Sequence, residues 1–216
     1  MSDVQNGTVN IQGNTFVVGH LSNPGRSGKN NEDWYGLFTH SAATRNGPQP
    51  VYVAVVADGI GGSASGEDAS RLAVATIQKH FERASLAEET IFEQMSQSIK
   101  QANTDIYEVA LQNPSMRGMG TTVVMAVTVG NQLYIAHAGD SRAYLVRDNR
   151  IHLLTLDHTW AQEAIDAGRI SLAEAQRHPN KNVIKRFLGP LDSVDVDIQM
   201  IDVAGKRGDV RLPDNR

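Results

Sequence analysis

The chain contains no cysteine, which excludes disulfide frameworks, thiolate metal sites and cysteine nucleophiles together and leaves the chemistry to oxygen and nitrogen groups. Long apolar runs are missing too. No stretch approaches the roughly 20 consecutive residues that cross a bilayer, and the polar segment from Met1 to Asn14 lacks the basic start and apolar middle of a signal peptide. Nor is there an excess of one charge: a formal net charge of -4 offers no global basic field for nucleic acid or an anionic membrane. These absences point to a cytoplasmic protein with no nucleic-acid and no membrane partner.

What is present is ordinary globular usage, 40% apolar and 20% charged in 216 residues, enough to bury one core in one domain spanning 1–216. No repeat or low-complexity linker divides it. Thr15 to His20 and Trp34 to Phe38 read as strands, and Val51 to Ala57 reads as a strand buried on both faces. From Gly66 apolar residues recur at helical spacing through Phe81. Ser85 with Glu88 has the form of a capping box opening a second helix, which carries Ile91, Met95, Ile99, Ala102, Ile106 and Val109 and ends near Asn113-Pro114. Strands return at Thr121 to Val129, Leu133 to Ala138, Ala143 to Val146 and Ile151 to Thr155, with turns at Gly130-Asn131 and Asp148-Asn149. A helical stretch from Trp160 to Ala175, broken at Gly168, precedes a last alternating strand, Asp195 to Asp202. Strands grouped apart from helices fit an α+β fold of antiparallel sheets better than a parallel doubly wound one.

Acids fall at strand ends. Asp58 closes an apolar strand and is followed by Gly59, Gly61 and Gly62, which let the backbone bend and approach a ligand closely. Glu32-Asp33 precedes one strand, and Asp140 lies between two others in Ala138-Gly139-Asp140-Ser141-Arg142. Such a set suits a hard cation of the Mg²⁺ or Mn²⁺ type. Each acid also has a plain structural reading: Asp58 making a turn, Asp140 pairing with Arg142 or capping a loop, Glu32-Asp33 solvated.

The order of the motifs adds to this. Asn30-Asn31-Glu32-Asp33, Ala57-Asp58-Gly59-Ile60-Gly61-Gly62 and Met119-Gly120-Thr121-Thr122 are followed by Gly139-Asp140-Ser141-Arg142-Ala143-Tyr144-Leu145, Leu154-Thr155-Leu156-Asp157-His158 and Asn182-Val183-Ile184-Lys185-Arg186-Phe187-Leu188-Gly189. In these motifs the chain resembles the metal-dependent type 2C protein serine/threonine phosphatases, bacterial branch. The resemblance implies a four-layer α-β-β-α sandwich, two antiparallel sheets flanked by antiparallel helix pairs. It implies two Mn²⁺ or Mg²⁺ ions at one end, with a third, weaker one. Asp58 would bridge the pair, Gly59 would lend its carbonyl, Asp33 with Glu32 beside it would hold one ion, and Asp140 would serve the additional one. Catalysis would rest on Asp58 and Asp33: ions roughly 3.5–4 Å apart acidify a shared water that attacks phosphorus in line. Substrates would be phosphoserine and phosphothreonine in proteins, opposing a cognate serine/threonine kinase. Residues 159–181 match a mobile flap.

The chain departs from the family pattern in places. Where an arginine usually captures phosphate stands Gly28, leaving Arg26 or Lys29 as substitutes, and lysine lacks the bidentate fork. Ile60 occupies the position of a histidine found in eukaryotic members. Lys206 to Val210 resembles the start of a further strand, but the sequence ends at Arg216 without the Ser-Asp-Gly and Asp-Asn motifs that complete the ligand set. Asp214-Asn215 matches the latter in letters only. The expectation is a sandwich lacking its last strands, an exposed strand edge and weaker metal binding. The alternative function is a catalytically impaired pseudophosphatase that binds phosphoproteins or a kinase. His158 reads as a solvated loop histidine and His137 as a packing residue. Arg186 either pairs with a carboxylate or lies on a helix face.

Overall fold

The computed structural model describes residues 5–11, 14–23, 30–61, 64–203 and 209–212. In chain order the elements are β1 (Gln5–Ile11), β2 (Asn14–His20), β3 (Asp33–Thr44), β4 (Gly47–Ile60), α1 (Ala64–Arg83), β5 (Leu86–Ala87), α2 (Ile91–Gln112), β6 (Gly120–Thr121), β7 (Val123–Val129), β8 (Gln132–Ala138), β9 (Tyr144–Arg147), β10 (Arg150–Leu153), α3 (Trp160–Asp166), α4 (Leu172–Ala175), β11 (Asp197–Asp202) and β12 (Asp209–Arg211). The main sheet has the order β11-β8-β7-β4-β3-β5, with β6 pairing β4. Every pairing in it is antiparallel except the short contact of β3 with β5. A second sheet has the order β10-β9-β12, and β1 pairs β2 separately.

Alternation along β4 sets the layers. Val51, Val53, Val55 and Ala57 are buried in one cluster with Ala73, Ile77 and Phe81 of α1 and Met95, Ile99 and Ile106 of α2, because residues two apart share a sheet face and residues three or four apart share a helix face. Gly36 of β3 lets α1 come close: a Cβ there would lie 2.6 Å from Val74 Cγ1. The opposite face holds a smaller cluster of Val124, Ala126, Leu133, Ile135 and Ala143, with Val56, Leu154, Ile201, Val203 and Leu212 packed against it. Tyr52, Ala54 and Val56 are therefore only partly buried. The expectation that β4 is buried on both faces is corrected: three strands do not cover the whole of the larger sheet.

Ser85 does not cap the second helix. Leu86 pairs with Ala42 of β3 and is buried, so the chain joins the sheet edge first, and a 3₁₀ turn at Glu88–Thr90 leads into α2. Burial of an apolar side chain outweighs the local capping signal there. The turn at Asp148-Asn149 has both residues at positive φ, 51° and 57°, as a two-residue hairpin requires. Gly168, at φ +65°, separates α3 from α4 where the sequence breaks its helical pattern. Of the C-terminal stretch, Asp209–Arg211 does form a strand, antiparallel to β9.

The layers seen among the described residues are one long helix pair, the main sheet and the three-stranded sheet, an α+β arrangement. The remaining helices, α3 and α4, have 7 and 4 residues. No helix among the described residues is long and apolar enough to cross a membrane.

Candidate metal centre

Register brings the first two acids together. Asp33 of β3 stands directly opposite Asp58 of β4, and facing residues of antiparallel strands point to the same side of the sheet with Cβ atoms about 4.5–5.5 Å apart. Asp58 is 2% exposed. Two like charges so placed repel across the strand pair, and two carboxylates facing one side of a sheet end can share a hard cation between them.

The surrounding backbone is fixed by short polar contacts. Asn31 Oδ1 accepts the Asp33 amide at 3.2 Å, and the Glu32 carbonyl accepts both the Gly59 amide at 3.1 Å and Ser70 Oγ at 2.6 Å. Gly59 admits no side chain, because a Cβ would lie 2.2 Å from the Gly66 carbonyl oxygen. Gly66 stands against Glu32, for a Cβ there would lie 2.6 Å from Glu32 Oε2 and would push that side chain aside. Glu32 thus lays its carboxylate against the N-terminal turn of α1, the end of a helix that favours negative charge.

Asp58 is gripped from the other side. Its amide donates to Thr122 Oγ1 at 3.1 Å, and its carbonyl accepts the Thr122 amide and Thr121 Oγ1, each at 2.9 Å. Thr121 exchanges backbone hydrogen bonds with Leu188 at 3.0 and 2.9 Å. The Met119-Gly120-Thr121-Thr122 and Asn182 to Gly189 motifs therefore act on the site through the backbone of Asp58, a role their letters do not disclose.

Asp140 follows β8 at the same end of the sheet. Neighbouring Ser141 Oγ lies 2.6 Å from Thr122 Oγ1, which ties this turn to the amide of Asp58. β7 lies between β4 and β8, so β4, which carries Asp58, and β8, which leads into the turn of Asp140, are second neighbours in the sheet. Arg142 makes a bidentate pair with Asp157, Nε to Oδ1 at 2.8 Å and Nη2 to Oδ2 at 2.7 Å. Arg26 and Lys29 lie outside the described residues.

His158 overturns its sequence reading, for it is 7% exposed rather than solvated. Its ring stacks on His137 with centroids 4.5 Å apart, and its Nδ1 accepts the Gly139 amide at 3.1 Å. Nε2 lies 3.1 Å from Asp197 Oδ2. Burial, assisted by His137, lowers its pKa to about 4 against the pull of Asp197. At neutral pH the contact with Asp197 is thus a hydrogen bond from a neutral ring, not an ion pair. His137, buried as expected, lies 2.8 Å from the Leu156 carbonyl through Nε2; burial lowers its pKa as well. Arg186 resolves in favour of pairing, with Nη1 2.6 Å from Asp197 Oδ1.

Two groups invite a cation. His137, His158 and Asp197 bring their ligand atoms within 4.8 Å of one another, but Nδ1 of His158 already accepts a hydrogen bond, so its proton sits on Nε2. Arg186 Nη1 lies 3.1 Å from that same Nε2. A guanidinium and an imidazole N–H occupy the place an ion would need. The Asp33, Asp58 and Glu32 end has the opposite character, with carboxylates and a close-packed glycine backbone. Those donors fit a hard divalent cation. The partners of His158 are distant in sequence, which hid this cluster; the single signal was His158 following Asp157 at the close of a strand-like segment.

Comparison with known proteins agrees with this geometry. The protein phosphatase 2C family profile matches residues 25–184. The chain is 37% identical over 175 residues to the serine/threonine phosphatase stp of Listeria welshimeri, covering 80% of this chain and 67% of that protein. The structure of the S. agalactiae serine/threonine phosphatase superposes with a TM-score of 0.71 at 31% identity, over 94% of this chain and 75% of that one. The catalytic domain of the phosphatase PstP, solved with 2 manganese ions, superposes with a TM-score of 0.63 at 26% identity over 94% and 72% of the respective chains. With the family profile matched over residues 25–184 and with a sequence and fold similar to those of these bacterial serine/threonine phosphatases, the chain belongs to the protein phosphatase 2C family.

Proposed function

We propose that the chain hydrolyses phosphoserine and phosphothreonine in proteins with the help of Mn²⁺ or Mg²⁺, opposing a cognate serine/threonine kinase in the cytoplasm. The observation that carries this reading is the pairing of Asp33 with a buried Asp58. Asp33, Asp58 and the Gly59 carbonyl, with Glu32 alongside, would hold two ions, and Asp140 a third, weaker one. When bound, such ions supply an acidified water and positive charge against the phosphoryl oxygens. The protein's own part is to hold Asp58 rigid through Thr121 and Thr122, to bring the Glu32 and Gly59 backbones together, and to keep that end of the sheet free of thiol chemistry. Arg26 or Lys29 would take the substrate phosphate, and residues 159–181, which include α3 and α4, would form the flap beside it. The finer architecture in this reading is the four-layer sandwich of the family.

The test is release of phosphate from a phosphothreonine peptide as Mn²⁺ is titrated, in the parent and in Asp58→Asn. Turnover that saturates with Mn²⁺ and is lost in the variant supports the proposal; turnover indifferent to both ends it. A second reading, a pseudophosphatase binding phosphoproteins or a kinase, is favoured by the small number of carboxylates that the described residues bring to that end of the sheet. It expects the peptide to bind without release of phosphate at any Mn²⁺ concentration.

A further inference from the structure

We infer that His158 is a positioning residue for Asp140, acting through the backbone of Gly139. The inference rests on the proposed role of Asp140 as a ligand of the weaker ion. His158 and Gly139 exchange two hydrogen bonds: the His158 amide donates to the Gly139 carbonyl at 3.0 Å, and the Gly139 amide donates to His158 Nδ1 at 3.1 Å. The far side of the ring, Nε2, meets Asp197 Oδ2 at 3.1 Å, and Arg186 Nη1 holds the other oxygen of that carboxylate at 2.6 Å. His137 covers one ring face. A neutral imidazole accepts at one nitrogen and donates at the other, so the ring links Asp197 to the Gly139 amide as a rigid spacer.

The turn so held has little other freedom. Gly139 sits at φ +123°, and a Cβ there would meet Thr122 Cβ and Cγ2 at 2.6 Å. Beyond Asp140, Ser141 Oγ is fastened to Thr122 at 2.6 Å and Arg142 to Asp157. Asp140 is therefore pinned from both neighbours, by Ser141 through Thr122 and by Gly139 through His158. The Ser141 hydrogen bond leads through Thr122 Oγ1 to the Asp58 amide. The hydrogen bonds of His158 run instead to Gly139 and Asp197, so its effect is expected on the Asp140 class of site.

Mn²⁺ binding, followed by the electron paramagnetic resonance signal of the free ion, tests this in the parent, His158→Ala, Asp140→Ala and the double variant. Asp140→Ala should remove the weaker class of site. His158→Ala should weaken that class about tenfold, the scale expected of an outer-shell contact, and leave the tighter class unchanged. In the double variant the isotherm should coincide with that of Asp140→Ala. Amide exchange at Gly139 should accelerate in His158→Ala. His158→Asn, whose Oδ1 occupies the place of Nδ1, should restore part of both effects and serves as the primary variant if His158→Ala does not fold. Weakening of both classes alike, or a further loss in the double variant, would overturn the inference and mark His158 as structural only. If Asp140→Ala leaves Mn²⁺ binding unchanged, the assigned role of Asp140 fails and the inference with it. If only His158→Ala is silent, the role of Asp140 stands and the inference alone falls.

Discussion

Arg142 and Asp157 are joined by two parallel hydrogen bonds of 2.8 and 2.7 Å, and the residues beside them, Ser141 and His158, are those that hold the turn of Asp140. One ion pair thus staples the loop after β8 to the segment after β10. The Ala143 amide adds a bond to Thr155 Oγ1 at 3.1 Å, and the Leu154 amide one to the Ala143 carbonyl at 2.8 Å. The motifs Gly139 to Leu145 and Leu154 to His158 are two halves of one structure.

That staple sets the first prediction. Arg142→Ala should destabilise the fold by about 1.5–3 kcal/mol, the range for hydrogen bonds to charged groups, since Asp157 is largely and Arg142 partly withdrawn from water. Arg142→Lys keeps the charge but not the planar fork, and should recover only part of the loss. Urea unfolding of the three proteins measures both steps; a lysine variant as stable as the parent would show that charge alone suffices.

The facing acids give a second. In a chelator, Asp33→Asn should raise stability by about 0.2–1 kcal/mol, because it removes a like charge directly across the strand pair from Asp58. In saturating Mn²⁺ the order should reverse, since an ion that binds only the folded state stabilises it by mass action. Thermal unfolding with and without Mn²⁺ reads this crossing. A variant less stable than the parent in chelator would mean that the two carboxylates do not repel.

Much of this was legible in the sequence because strand and helix periodicities carry directly into burial. The α2 residues Ile91, Met95, Ile99, Ala102 and Ile106 are all buried, and the turns at Gly130-Asn131 and Asp148-Asn149 join the strand pairs their letters announced. The nearness of Asp33 to Asp58 was legible through motif order, not through spacing. Contacts that depend on register between distant strands were not. His158 meets Gly139, Asp197 and Arg186 across separations of 19, 39 and 28 residues, and no local pattern distinguishes a histidine destined for that place from one in water. Ser85 shows the converse, a correct local signal overruled when Leu86 found a buried position at the sheet edge.

Thr122 supplies a third prediction. Its hydroxyl meets both the Asp58 amide and Ser141 Oγ, in a fully buried setting. Thr122→Val keeps the shape but strands two buried polar groups, at about 1–3 kcal/mol for each. Ser141→Ala leaves the Thr122 bond to Asp58 intact and should cost less. Phosphate release should follow the same order if orientation of Asp58 governs it. Equal losses in the two variants, in stability and in turnover, would argue against that chain of contacts.

Acid sensitivity follows from the buried imidazoles. His158 has its pKa lowered to about 4, chiefly by burial, and burial lowers that of His137 too, whereas both titrate near 6.5 in the unfolded chain. The unfolded state therefore binds more protons below pH 6.5, and stability falls as the pH drops from there toward 4. For each such group the slope approaches about 1.4 kcal/mol per pH unit. Asp197, whose carboxyl is pulled up by burial but carried below its ordinary value by the hydrogen bonds of His158 and Arg186, loses its contribution only as the pH passes below the ordinary carboxylate range. The two effects are therefore separated along the pH axis. Replacing His158 by glutamine removes one titrating group and leaves His137. Between pH 7 and pH 4.5, in chelator, the unfolding free energy of His158→Gln should fall less steeply than that of the parent, whatever the offset between them at neutral pH. Parallel curves would mean that His158 binds its proton as readily in the folded protein as in the unfolded one, which its position between Gly139 and Asp197 should not permit: a second proton on the ring could go only to Nδ1, and there it would displace the Gly139 amide.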